Sequence, residues 1–204
     1  MKTTPLYEKH LELSGKIIDF SGWALPVEYS GILSEHEAVR TKSGLFDVSH
    51  MGEITVKGEE AEKFLQMIVT NDVSVLTDGQ IAYTTMCYPT GGVVDDLLVY
   101  KNSDEDFLLV VNASNTDKDF EWLESHISGK VEVKNVSPFY AQLALQGPKA
   151  QTIIWMWVES VSWCLVQDIP EKTVLNYILH RKTDRKCGIC FLRRERMRDL
   201  CLQD

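Results

Sequence analysis

Ile81-Ala82-Tyr83-Thr84-Thr85-Met86-Cys87-Tyr88, then Pro89-Thr90-Gly91-Gly92, then Val93-Val94-Asp95-Asp96-Leu97-Leu98-Val99-Tyr100 reads as a strand, a turn and a second strand. Both runs are rich in β-branched, apolar and aromatic residues, and the Pro and Gly between them form turns. Residues 102–105 turn the chain again, and residues 107–112 supply a third strand. Consecutive strands with hairpin-length links predict antiparallel pairing, because parallel winding needs a long crossover between strands.

Outward from this meander the pattern stays mixed. Residues 59–69 place Ala61, Phe64, Leu65 and Ile68 at helical spacing, and residues 117–126 read as a helix carrying Phe120, Trp122 and Leu123. Residues 53–57 alternate, with Ile54 and Val56 on one face, as a strand does. Thr4-Pro5 opens a short helix that stops at Gly15, and residues 34–41 form another with Gly44 beyond it. Residues 16–20, 131–136 and 141–145 read as further strands. The fold class is α+β with a largely antiparallel sheet, and neither a repeat nor a linker interrupts residues 1–150.

The chain has 204 residues, 44% of them hydrophobic and 25% charged, as in an ordinary globular protein. No apolar run is long enough to span a membrane, and no secretory signal opens the chain. The net charge of -9 argues against a non-specific nucleic-acid binder, which needs cations against phosphate. That charge is uneven: residues 181–204 are net +4 and residues 1–180 net -13. Cysteine is uneven too, with Cys87 alone in the first 160 residues and Cys164, Cys187, Cys190 and Cys201 at the end. The acidic, Cys-poor body points to a reducing, cytoplasmic setting. Cys187-Gly188-Ile189-Cys190 has the spacing of half a zinc site, but the remaining ligands are missing, so no metal is expected.

Asp95 and Asp96 are the first candidates for chemistry. Neighbours in a strand point to opposite faces, so one carboxylate faces inward unless the strand bulges. Such an acid is either solvated at a strand end or held in a pocket with a shifted pKa. His50 is either a base or a satisfied structural histidine. Met51 either fills core or lines a ligand pocket. Tyr83 and Tyr100 either pack or wall in a flat ring. Asn112 ends an apolar strand, and a buried amide there needs partners that a heterocycle edge could supply.

Several blocks together carry a resemblance. They are Phe20-Ser21-Gly22-Trp23, Gly44-Leu45-Phe46-Asp47-Val48-Ser49-His50-Met51-Gly52-Glu53, Thr70-Asn71-Asp72, Tyr83-Thr84-Thr85-Met86, Gly91-Gly92-Val93-Val94-Asp95-Asp96-Leu97, Val111-Asn112-Ala113-Ser114-Asn115 and Leu145-Gln146-Gly147-Pro148. From Met1 to about Ala150 the chain closely resembles the aminomethyltransferases (T-proteins) of the glycine cleavage system. The resemblance implies transfer of a one-carbon unit from the aminomethyl-lipoyl arm of the H-protein to tetrahydrofolate, with release of ammonia. It assigns the catalytic role to Asp96, places Met51, Tyr83, Tyr100 and Asn112 around the folate, and gives Asp95 a structural role. It further implies antiparallel folate-binding domains of the T-protein type: residues 1–52 with 136–155 as part of the first domain, and a ferredoxin-like domain over residues 53–135. The lipoylated H-protein and folate are the implied partners, without nucleic acid or membrane.

After residue 150 the pattern breaks. The family's block Ser-Arg-Thr-Gly-Tyr-Thr-Gly-Glu-Asp-Gly-Phe-Glu is absent, as are a C-terminal barrel domain and the later folate-binding Tyr, Glu and Arg positions. Yet the codons permitted for residues 164–177 can spell that block, and the Leu after it, one frame over. Residues 156–204 therefore read as an aberrant, frameshifted tail expected to be poorly ordered, with Trp155, Trp157 and Trp163 as exposed apolar surface. A truncated chain of this kind is expected to have weak or absent activity, and a non-catalytic fragment that still docks folate or the H-protein is the alternative. A folate domain of a sarcosine- or dimethylglycine-type oxidase is disfavoured, because no sequence is left for a flavin domain. Resequencing the locus across codons 145–180 tests the frame reading. The missing block should appear one frame over at codons 164–177, and a coding sequence that does not spell it there refutes the reading.

Overall fold

In a computed structural model of the chain, residues 1–153, 177–182 and 185–193 are described, the last two ranges as backbone strands. In chain order the elements are β1 (Lys2–Thr3), α1 (Tyr7–Glu12), β2 (Ile17–Phe20), β3 (Trp23–Pro26), α2 (Ile32–Thr41), β4 (Gly44–Asp47), β5 (Gly52–Lys57) and α3 (Ala61–Ile68). They continue with β6 (Ile81–Cys87), β7 (Val93–Ser103), β8 (Asp106–Val111), α4 (Thr116–Ser125), β9 (Glu132–Asn135), β10 (Tyr140–Gln146), β11 (Tyr177–Lys182) and β12 (Arg185–Arg193). The chain divides into two compact units, His50–Tyr140 and the remainder, Met1–Ser49 with Ala141–Asp204. Trp155, Trp157 and Trp163 lie outside the described residues.

The unit His50–Tyr140 is a five-stranded antiparallel sheet in the order β6-β7-β8-β5-β9. Without β6, the remaining β-α-β-β-α-β path has the split arrangement of a ferredoxin-like fold; β6 adds an edge strand beside β7. Alternation drives the layering. Ile54, Val56, Leu97, Val99, Phe107, Leu109 and Val111 point to one face and bury against Phe64 and Leu65 of α3 and Leu123 of α4. Gly52 sits where a side chain would collide with Thr116 at the start of α4, so the missing Cβ lets the helix close onto β5. Lys101 spends its charge on Glu62 and Asp104, both at 2.6 Å.

The second unit holds a three-stranded sheet, β1-β3-β2, and a sheet in the order β11-β12-β10-β4. The two sheets of this unit and the one above are open, and among the described residues none closes into a barrel. Glu35, in the first turn of α2, accepts the backbone N–H groups of Tyr29, Ser30 and Gly31, and so fixes the turn that leads into its own helix. Within residues 1–153, three strands escaped the sequence reading, and β11 and β12 fall in the stretch read as an aberrant tail. Lys2–Thr3 is too short to alternate, Trp23–Pro26 sits between Gly22 and a proline, and Gly44–Asp47 begins on the glycine that reads as a helix stop.

Asp47 ties the second unit together. Thr4 Oγ1 donates to its Oδ2 at 2.6 Å, His10 Nε2 lies 2.8 Å from the same oxygen, and the Ser49 backbone N–H donates to Oδ1 at 2.9 Å. Tyr29 extends the chain through a 2.8 Å bond between its hydroxyl and His10 Nδ1. Burial opposes ionisation of Asp47, but the bonds from Ser49, Thr4 and His10 outweigh it and hold its pKa below the ordinary value. Asp47→Ala strips the Thr4 hydroxyl, the His10 ring and the Ser49 N–H of their acceptor. It is expected to cost about 3 kcal/mol in urea unfolding, from partners left buried and unpaired; a loss near zero would show the network to be energetically idle.

Glu53, 1% exposed on β5, takes the opposite course. No other described residue donates to its two carboxyl oxygens, and burial, opposed only by its own backbone N–H, pushes its pKa up to about 8. The folded chain therefore keeps a proton that the unfolded chain releases near 4.5. Its contribution to stability is complete below that value and is lost as pH rises toward about 8. Glu53→Gln is expected to flatten the fall of unfolding free energy over this window; an unchanged pH slope would show the group to be ionised.

Candidate functional site

The acid pair lies on β7, where Asp95 is opposite Met86 and Asp96 opposite Thr85 of β6. Asp95 shares the inward face with Leu97 and Val99 and is 7% exposed. Asp96 points to the other face, with Leu98 and Tyr100, and is half-buried. Tyr83, 50% exposed, stands opposite Leu98 on β6 and so lies diagonally beside Asp96. Its hydroxyl donates to Asp96 Oδ2. That bond, with burial and the Asp96 and Asp95 charges behind it, raises the Tyr83 pKa, so its proton stays on the phenol at neutral pH.

Asn112 follows the last residue of β8, and its backbone falls in step with β7 because Val111 is opposite Leu97. Its Nδ2 donates to Asp95 Oδ1 at 3.1 Å, to the Asp96 carbonyl at 3.1 Å and to Asp96 Oδ1 at 3.2 Å. All three neighbours are acceptors, which fixes the amide with its NH₂ toward the acid pair. One Asp96 oxygen is thus held by a phenol and the other by an amide. The result is an oriented anion at a partly exposed sheet face, suited to holding an N–H group or stabilising positive charge that develops on a bound reactant.

Asp96, Tyr83 and Asn112 are therefore brought together, with Asp95 beneath them. Tyr100 is buried and lies on the face of Asp96, but four residues along β7, roughly 13 Å away at strand rise. Met51 is half-buried just ahead of β5, and His50 precedes it; neither is among the groups bonded to Asp96. Among the described residues no three His, Cys, Asp or Glu side chains gather as a metal site.

Three residues beside the site went unread in the sequence. The Asn115 side chain bonds Asp95, Lys118 Nζ donates to the Val94 carbonyl at 2.5 Å, and Asp119 is fully buried against Asp95. A signal for Asp119 was available: it stands four residues before Leu123, on the apolar stripe of α4, where a carboxyl group is out of place.

Comparison with known proteins identifies the family of the chain. Residues 6–168 match the GCVT N-terminal domain. The aminomethyltransferase of Bacillus mycoides (strain KBAB4) is 58% identical over 154 residues, which are 76% of this chain and 42% of that protein. The Bacillus cereus (strain B4264) aminomethyltransferase is 59% identical over the same coverage. The chain thus spans less than half the length of these curated relatives. The crystal structure of glycine cleavage system aminomethyltransferase T from Bartonella henselae superimposes with a TM-score of 0.78 at 30% identity, covering 98% of this chain and 56% of that one. A chain with this match, this antiparallel α+β fold and this acid pair belongs to the aminomethyltransferase family of the glycine cleavage system.

Proposed function

We propose that the unit His50–Tyr140 carries the acceptor side of an aminomethyl transfer, with tetrahydrofolate bound against Asp96 and the aminomethyl-lipoyl arm of an H-protein as donor. The observation that carries this reading is the oriented Asp96 carboxylate, gripped by Tyr83 and Asn112. A folate nitrogen that attacks the aminomethyl carbon needs its N–H group held in line. Ammonia leaves as the new C–N bond forms, and the carbon gains iminium character as its C–S bond then breaks and the electron pair returns to the lipoyl thiol. A fixed anion beside both serves orientation and charge together, and its geometry costs no reorganisation during the reaction. Met51 and Tyr100 are proposed as pocket walls, and the setting is proposed as cytoplasmic.

A second reading has its own support. The chain aligns with only 42% of the length of the Bacillus mycoides aminomethyltransferase, and a polypeptide matching part of a relative can retain binding without its turnover. On this reading the polypeptide binds folate or the H-protein without efficient turnover. The two readings separate in one experiment on the full chain: titration with (6S)-tetrahydrofolate, followed by an assay of ammonia release from aminomethylated H-protein. Binding with little or no turnover is the expected outcome. Robust folate-dependent turnover overturns the fragment reading, and absence of folate binding overturns both in their folate form. Where turnover is measurable, Asp96→Asn should lower it by about 10²-fold or more, as for loss of one preorganised electrostatic group; a loss under threefold would remove Asp96 from the chemistry.

A further inference from the structure

Asp119 has no solvent exposure, and its two oxygens receive no donor from a neutral or cationic side chain at ordinary hydrogen-bond distance. Lys118 Nζ approaches only to 3.8 Å and is already committed to the Val94 carbonyl. Among the described residues these oxygens find no hydrogen-bond donor; the side chain that bears on them is another carboxyl group, Asp95, whose own Oδ2 is equally without a donor, and a bond between the two requires a proton. Two ionised carboxylates cannot share such a bond, so one of them keeps a proton. Asp95 already accepts from Asn112 and Asn115, which favours its anion, and its remaining buried oxygen, Oδ2, has no other donor. The proton therefore belongs to Asp119, which donates it to Asp95.

We propose that Asp119 is a positioning residue for Asp96: its carboxyl proton, shared with Asp95, keeps Asp95 an acceptor and so holds the Asn112 amide against Asp96. The linkage runs Asp119, Asp95, Asn112, Asp96: hydrogen bonds from Asn112 reach Asp95 and Asp96, and the shared proton joins Asp119 to Asp95. The inference deepens the proposed role of Asp96 and rests on it. If Asp119 lost its proton, two buried anions would face one another. Asp95 would withdraw or take up a proton itself, and the Asn112 amide would lose the acceptor that orients it. The ionisable groups bearing on Asp119 are Asp95 from β7 and Lys118 from its own helix. Burial, then the Asp95 bond and charge, push its pKa up to about 8, against a weaker pull from Lys118.

The test uses the full chain labelled with ¹⁵N-asparagine, with the Asn112 side-chain amide assigned through Asn112→Ser. In the parent chain this NH₂ pair should shift as pH rises through about 8, as Asp119 ionises. In Asp119→Asn, whose amide can still donate to Asp95, the shift should vanish while the resonance stays at its neutral-pH position. In Asp119→Leu the amide should move at every pH, and (6S)-tetrahydrofolate affinity should fall by about tenfold or more, the usual cost of a lost bond to a charged group. An Asn112 amide that does not respond to pH in the parent, or that titrates identically in Asp119→Asn, overturns the proposal even if Asp119→Leu fails to fold. A parent chain that does not bind folate defeats the folate reading alone, since the amide titration still decides whether Asp119 positions Asn112.

Discussion

Two carboxylates on consecutive strand residues cannot share a side of the sheet, and the site is organised around that constraint. Asp96 takes the partly open face, and Asp95 is driven into the layer between sheet and helix. A buried carboxylate without donors is untenable. The end of β8 and the first turns after it respond by supplying Asn112, Asn115 and Asp119 around Asp95. The accessible acid is thereby steadied by the buried one. Asn112 reaches both, so the inner acid becomes the foundation on which the outer acid is aimed.

The molecule handles its buried acids in two physically distinct ways. Asp47 is surrounded by donors and stays ionised, because the hydrogen bonds to the anion outweigh the loss of water. Asp119 and Glu53 find no such set and keep their protons. The first arrangement gains strength as pH rises to the ordinary carboxylate value and is complete above it, and the second loses strength from there to about 8. A chain containing both is expected to show a stability maximum between the two windows rather than a plateau.

Much of this was readable in advance, for reasons that can be named. The strands around Tyr83, Asp95 and Leu109 announce themselves through β-branched runs bounded by Pro89, Gly91 and Gly92, and the antiparallel sheet follows from their short links. Asp96, Tyr83 and Asn112 were legible as candidates because strand alternation and the family blocks point to the same positions. Asp119 was not, since its meaning depends on register between α4 and β7, a long-range relation that local periodicity does not encode. β1, β3 and β4 escaped for a different reason. β1 and β4 are held by partners distant in sequence, Trp23 opposite Lys2 and Leu145 opposite Leu45, while β3 is a four-residue run paired with its neighbour β2 and too short to show a pattern of its own.

Gly52 shows how fine the tolerances are. With no side chain of its own, it lets Thr116 rest directly on β5, and Asp119 lies one turn further along the same helix. The glycine acts as a locating pin: it sets how far the helix stands off the sheet and, through that stand-off, the distance across which one proton is shared. A single added methyl group at Gly52, on a different strand from the acid pair, would detune the aim of Asp96 without touching any charged group.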